Sequence, residues 1–282
     1  MTFTRLIAVA AMLACCGLSF ADAPTRFRWQ KGDTHRYKVE QVTQTSSTMR
    51  VDDTDNFKTL QVTTRFEAVK SWSVVDVDAN GVATLQMSLT QLKVETKKPD
   101  GETSVFDSTK ADPASVEGKE MMQYVNQPIT TIRMDARGQL VEVKESKFGA
   151  PSRLEADLPF KLVLPEVALA QGATWARNYA IKMDPPQGTG ESYDATQQYT
   201  VKQLSGTSVV VGMTTKLKNS ALTAGELIPL CPLQPEGEIT FASDSGRFEK
   251  ARLKATHEIP NHLGVGTKYT YQMVYQEDRL EN

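Results

Sequence analysis

Residues 129–146, ITTIRMDARGQLVEVKES, read as a β-hairpin. A strand runs to Met134, Asp135-Ala136-Arg137-Gly138 turns the chain, and a second strand leaves through Leu140, Val141 and Val143. Residues 238–255, EITFASDSGRFEKARLKA, repeat the layout with Asp244-Ser245-Gly246-Arg247 at the turn. Two further landmarks recur in the same order. Gly32-Asp33-Thr34 is echoed by Gly172-Ala173-Thr174, and Leu85-Gln86-Met87 by Val211-Gly212-Met213. Ordered recurrence of this kind predicts a duplicated β unit with trimmed connections.

Between these landmarks the apolar residues alternate with polar ones, the period of a half-buried strand. Phe27 and Trp29 alternate with Arg26 and Arg28, which predicts a strand there. Ala83, Leu85, Met87 and Leu89 face one way, and Tyr269, Tyr271, Met273 and Tyr275 form a stripe in the last strand. Asp78-Ala79-Asn80-Gly81 is a hairpin turn, because Asn-Gly accepts the positive φ that tight hairpins need. The best helix lies near 113–126. Asp112 is its expected N-cap, Pro113 its first residue, and Met121, Met122 and Val125 its apolar side. The fold class is therefore all-β with minor α: two tandem antiparallel β units, as curved sheets or half-barrels, with one covering helix. The units are expected over 24–160 and 161–282. The apolar joint 149–165 is packed, with a short helix before Pro159, and 222–235 is a proline-rich connection.

Residues 1–23 read as an export signal. Arg5 precedes the apolar stretch LIAVAAMLA, and Ser19-Phe20-Ala21 and Ala21-Asp22-Ala23 offer small residues for cleavage. Met12-Leu13-Ala14-Cys15 resembles a bacterial lipobox, so two outcomes stand open. Either Cys15 and Cys16 leave with the signal, or Cys15 is lipidated and anchors the protein to a membrane. The expected location is the periplasm or cell envelope. If Cys15 and Cys16 both leave, Cys231 is the one cysteine of the mature chain; it is expected to be buried as a small hydrophobe. With 32 Lys+Arg against 34 Asp+Glu there is no basic stripe, so no nucleic-acid partner is expected. Nothing in the sequence sets an oligomeric state.

Motifs that carry chemistry are weak. Asp76-Val77-Asp78-Ala79-Asn80-Gly81 matches the first half of a calcium loop, but Met87 stands where the bidentate glutamate belongs. His257-Glu258-Ile259-Pro260-Asn261-His262 spaces its histidines five apart, and Pro260 forbids the helix a zinc protease motif needs. There is no nucleophile elbow and no phosphate loop. No catalytic residue, metal ligand or cofactor is assigned. The speculative ligand-binding set is Met121 and Met122 on the helix with Tyr269, Tyr271 and Tyr275 on the last strand; packing in the core is the competing role for all five.

The Gly32-Asp33…Tyr37 opener, the Asp76–Gly81 hairpin and the Leu164-Pro165…Gly172…Trp175 junction resemble an uncharacterised family of exported bacterial β-rich proteins. The family has no assigned activity, so the resemblance transfers no functional residue. In architecture a curved antiparallel sheet under one helix looks like the lipoprotein-carrier half-barrels, which hold acyl chains in their concavity. The expectation is a non-catalytic exported protein that binds an apolar or lipidic ligand, or an envelope partner. A hydrolase with dispersed residues and a purely structural envelope protein are the alternatives.

Overall fold

The computed structural model describes residues 24–281 apart from 53–55, 113, 148, 186 and 220. The export signal, Cys15 and Pro113 lie outside the described residues. Twelve strands form one curved, open, antiparallel sheet. They are β1 (Thr34–Arg50), β2 (Phe57–Val77), β3 (Ala83–Lys97), β4 (Thr103–Asp107), β5 (Pro128–Met134), β6 (Leu140–Ser146), β7 (Thr174–Met183), β8 (Glu191–Leu204), β9 (Ser208–Leu217), β10 (Glu236–Ala242), β11 (Arg247–Pro260) and β12 (Lys268–Leu280). The order across the sheet is β6-β5-β3-β2-β1-β12-β11-β10-β9-β8-β7, with β4 paired to β3 off this path. The strands of both expected units thus hydrogen-bond into one sheet, joined where β1 pairs with β12 from Arg36↔Leu280 to Thr48↔Lys268. The repeated hairpins are β5–β6 and β10–β11.

Strand periodicity sets the two faces. On β2 the even positions up to Val74 share the inner face, and β1 and β3 present matching partners. The ladder carries bulges at Val69/Lys70 and Val74/Asp76, which bend a 21-residue strand around the interior.

The interior is closed at one end by two segments outside the ladder. Residues 24–30 do not form the strand that their alternation predicts. They cross between the two repeated turns instead: Phe27 N donates to Ala136 O at 2.7 Å and Arg28 N to Gly246 O at 3.0 Å. Both turns need their glycine. Gly138 has φ +85° and a Cβ there would lie 2.5 Å from the Phe27 ring; Gly246 has φ +67° and a Cβ would lie 2.8 Å from Arg26 O. Alternation was therefore right about which side chains go inward and wrong about the backbone's partners. The joint is the second segment. Leu158, Phe160, Leu162, Val163 and Leu164 are all buried. Phe160 sits at the centre of an aromatic cluster, 5.6–5.9 Å from the rings of Phe27, Trp29, Tyr37, Trp72 and Phe248.

The helices differ from expectation. The helix expected over 113–126 is only α1 (Val116–Met122), capped by the Ser115 side chain accepting from Gly118 N. Asp112 makes a turn to Ala114 N instead, and Gly118 is needed because a Cβ there would meet Asp112 O at 2.0 Å. The short helix expected in the joint is α2 (Arg153–Ala156). The 222–235 connection contains α3 (Ala224–Leu230) and a 3-10 turn, Cys231–Leu233. Thr223 and Glu226 form its capping box, a legible signal that Pro229 and Pro232 obscured. Cys231 is buried in the main core, and burial pushes its thiol up to about 11. No helix among the described residues is long and apolar enough to cross a membrane.

His35 marks the closed end. Its side chain is buried beside Trp29, and its Nε2 has no hydrogen-bond partner. Burial lowers its pKa to about 4, helped by Arg247 and opposed by Asp33. The unfolded chain, titrating at the ordinary 6.5, then binds a proton that the folded protein refuses. Stability is full above pH 6.5, falls as the pH drops toward 4, and flattens below it. The expected loss is about 3 kcal/mol across that window. Urea melts of wild type and His35→Leu between pH 7.5 and 4 check this. The variant should lose most of the slope and keep what His257, also pushed down by burial, contributes, with the carboxylates held low in the folded protein, such as Asp157 and Glu226, adding to it near pH 4.

Candidate ligand-binding strip on the inner face

The inner face falls into two parts. The closed part is the aromatic core described above. Beyond Val39 on β1 and Ala68 on β2 the inner face is only half-buried. Register places its residues in rows: Gln41 with Phe66 and Tyr275, Thr43 with Thr64 and Met273, Thr45 with Val62 and Tyr271, Ser47 with Leu60 and Tyr269. In each row the β1 and β2 members are half-buried, while Tyr271, Met273 and Tyr275 on β12 are buried.

The difference has a cause. The 3-10 turn packs on β11 and β12, and α3 on β11. Leu227, Ile228 and Cys231 belong with Tyr271, Met273 and Tyr275 in one apolar cluster. On the other flank α1 contacts β4, and Met121 and Met122 pack with Leu89, Leu92, Phe106 and Ile129 in a separate cluster. The five sequence-predicted site residues are therefore not brought together. Tyr271 and Tyr275 are core, Tyr269 is half-buried at the edge of that core, and the methionines belong to the other flank. Phe66 and Met87 touch both clusters and bridge them. What lies between is a strip of Leu60, Val62, Thr64 and Phe66 beside Gln41, Thr43 and Thr45. Nothing in the sequence singles these residues out, because β2 and β1 carry no stripe of large aromatics there.

The strip ends on a charged cluster. Lys70, the next inward residue of β2 after Ala68, reaches Tyr275 Oη at 3.1 Å and Glu277 Oε1 at 3.3 Å. The Tyr275 hydroxyl donates to Glu277 Oε2. From the joint, the Lys161 ammonium lies 5.1 Å from the centroid of the Tyr275 ring and pairs with Asp157. Two cations thus face two carboxylates. Burial pushes the Tyr275 hydroxyl well above the usual tyrosine range, and the Glu277 carboxylate adds to it. Burial acts to raise the Asp157 carboxyl, but Lys161 outweighs it and holds the group below the usual carboxylate range. A phenol fixed as a donor between a lysine and a glutamate holds charge in place; it offers no activated nucleophile.

The weak motifs settle into local roles. Asp78 Oδ1 accepts from Asn80 N and Val82 N at 2.9 and 3.0 Å, while Arg133 pairs with its other oxygen and Lys31 pairs with Asp76. Those two carboxylates serve a turn. His262 meets the Ser47 hydroxyl at 2.9 Å, and His257 stands beside Tyr271. Among the described residues no group of three or more His, Cys, Asp or Glu could hold a metal ion.

No family model matches the chain, and no curated protein matches it. Among solved structures it is similar to lipovitellin in a structure of lipid–protein interactions, with a TM-score of 0.47 and 11% identity over 89% of this chain and 25% of that one. It is also similar to DynF from the dynemicin biosynthesis pathway of Micromonospora chersina, with a TM-score of 0.22 and 10% identity over 92% and 86% of the two chains. The chain thus spans a quarter of the lipovitellin chain's length.

Proposed function

We propose that this protein is a non-catalytic binding protein for an elongated amphiphile such as a lipid. The apolar part of the ligand would lie along Leu60, Val62 and Phe66, and its polar end at the Lys70–Lys161 cluster. The observation that carries the reading is the half-buried inner strip, left uncovered between two flanks that are covered by helices. A purely structural protein would be expected to fill its whole interior, as the closed end does. That filled end is the one observation favouring the structural reading. Export, periplasmic location and lipidation of Cys15 remain part of the proposal, as does the origin of the sheet in two copies of one β unit.

The test is native mass spectrometry with palmitic acid and with dipalmitoyl phospholipid vesicles as probes. Wild type should retain one lipid. Leu60→Asn combined with Val62→Asn should weaken retention about tenfold, or ~1.4 kcal/mol. Both side chains are partly buried, so stability should also fall, by about 2 kcal/mol, which leaves a folded variant for the comparison. A bare polypeptide mass in the wild type under both conditions overturns the proposal.

A further inference from the structure

The sheet's two ends, β6 and β7, face each other across a cleft. Leu140, Val141 and Val143 line one side of a cavity of about 490 Å³, and Ala180 and Lys182 line the other, with Ser152 and Glu155 beside them. A second cavity of about 200 Å³ adjoins it, with Arg137 and Leu140 opposite Trp175 and Arg177. As β6 advances from 140 to 143, the facing part of β7 advances from 175 to 182, so the two edges run in the same direction. Topology requires this. Eleven antiparallel strands lie on the path across the sheet, and an odd number leaves its two end strands parallel.

We infer that the cleft accepts one extended strand from another polypeptide, running opposite to both edges. Such a strand would pair antiparallel on each side and close the sheet as a twelve-membered barrel, whereas direct pairing of β6 with β7 would put one parallel pair in an antiparallel sheet. α2 packs against both edges, mainly β7, without taking up their backbone hydrogen-bonding groups. Among the described residues, no backbone hydrogen bond from 141–145 or 174–182 reaches beyond the neighbouring strands. The chain already bridges the seam at its lower end. Leu164 N donates to Arg137 O at 2.8 Å, Arg137 Nε to Leu164 O at 2.9 Å, and Trp175 Nε1 to Val163 O at 2.6 Å.

The lining sets the partner's chemistry. Leu140, Val143 and Trp175 pack toward the main core, while Glu142 and Lys182 are exposed on opposite edges. The incoming strand has apolar side chains at every second position. Its outward positions carry a cation beside Glu142 and an anion beside Lys182.

Hydrogen exchange of the full chain tests this, with synthetic peptides of sequence 128–134 and 191–204 as probes. Each already pairs antiparallel with one of the two edges, and scrambled versions serve as controls. The expected result is that at least one peptide slows exchange about tenfold at both 141–145 and 176–182 together, and that its scrambled form does not. Glu142→Pro and Val143→Pro place proline on an edge strand, where it is tolerated, and one of them removes an outward N–H. That variant should lose the protection on both edges. Protection of a single edge, of neither, or equally by the scrambled peptides overturns the inference.

Discussion

Phe160→Ala should lower the unfolding free energy by about 4 kcal/mol, among the largest losses expected from a single side chain here. The ring has five aromatic neighbours within 6 Å and is almost fully buried. They come from four parts of the chain: residues 27–29 and strands β1, β2 and β11. Removing the ring leaves a cavity that stiff aromatic walls cannot collapse to fill. A protein stable by about 5–15 kcal/mol loses a large fraction of its margin. Urea unfolding checks it: the midpoint should fall with the slope unchanged. Phe160→Leu, which refills much of the volume, should recover part of the loss. A change below 1 kcal/mol for the alanine variant would mean that the joint does not hold the closed end together.

That result would also place the joint in the core, which the sequence reading anticipated from its apolar run. The legible parts of this fold are those written in local chemistry. Gly81, Gly138 and Gly246 announce turns because tight reversals need positive φ. Tyr269, Tyr271, Met273 and Tyr275 announce an inner face because a strand has period two. What was not legible is long-range. Nothing local says that β1 pairs with β12, the pairing that joins the strands of both expected units into one sheet. Residues 26–29 alternate like a strand, but their backbone partners are turn residues more than a hundred positions away. The half-buried inner strip is not legible for a related reason. Gln41, Thr43, Val62 and Thr64 look unremarkable one strand at a time and stand out only when register puts them in rows under no covering element. Met121 and Met122 do not join the tyrosines because the segment packed on β12 is the 3-10 turn that follows α3, in a connection whose prolines make it read as a loop.

Glu277→Gln should destabilise the protein by about 3 kcal/mol. The Glu277 side chain is fully buried, and that of Lys70 is 19% exposed. Their attraction offsets the desolvation of both ions, and the Tyr275 hydroxyl satisfies the second carboxylate oxygen. Replacing the carboxylate by an amide keeps an acceptor but leaves Lys70 as an uncompensated cation facing Lys161 across the Tyr275 ring. The double variant Lys70→Met with Glu277→Leu removes both charges and should recover at least half of the loss, since a buried pair exchanged for apolar groups is often close to neutral. Chemical denaturation of Lys70→Met, of Glu277→Leu and of the double closes the cycle, and a coupling near zero would mean that the ions act independently. The same set separates stability from binding. If Lys70 and Lys161 hold the polar end of the ligand, the double variant folds near wild-type stability yet retains lipid about tenfold less well. If it retains lipid as the wild type does, the Lys70–Glu277 pair serves the fold alone, and the strip binds its ligand through Leu60, Val62 and Phe66 without help from Lys70.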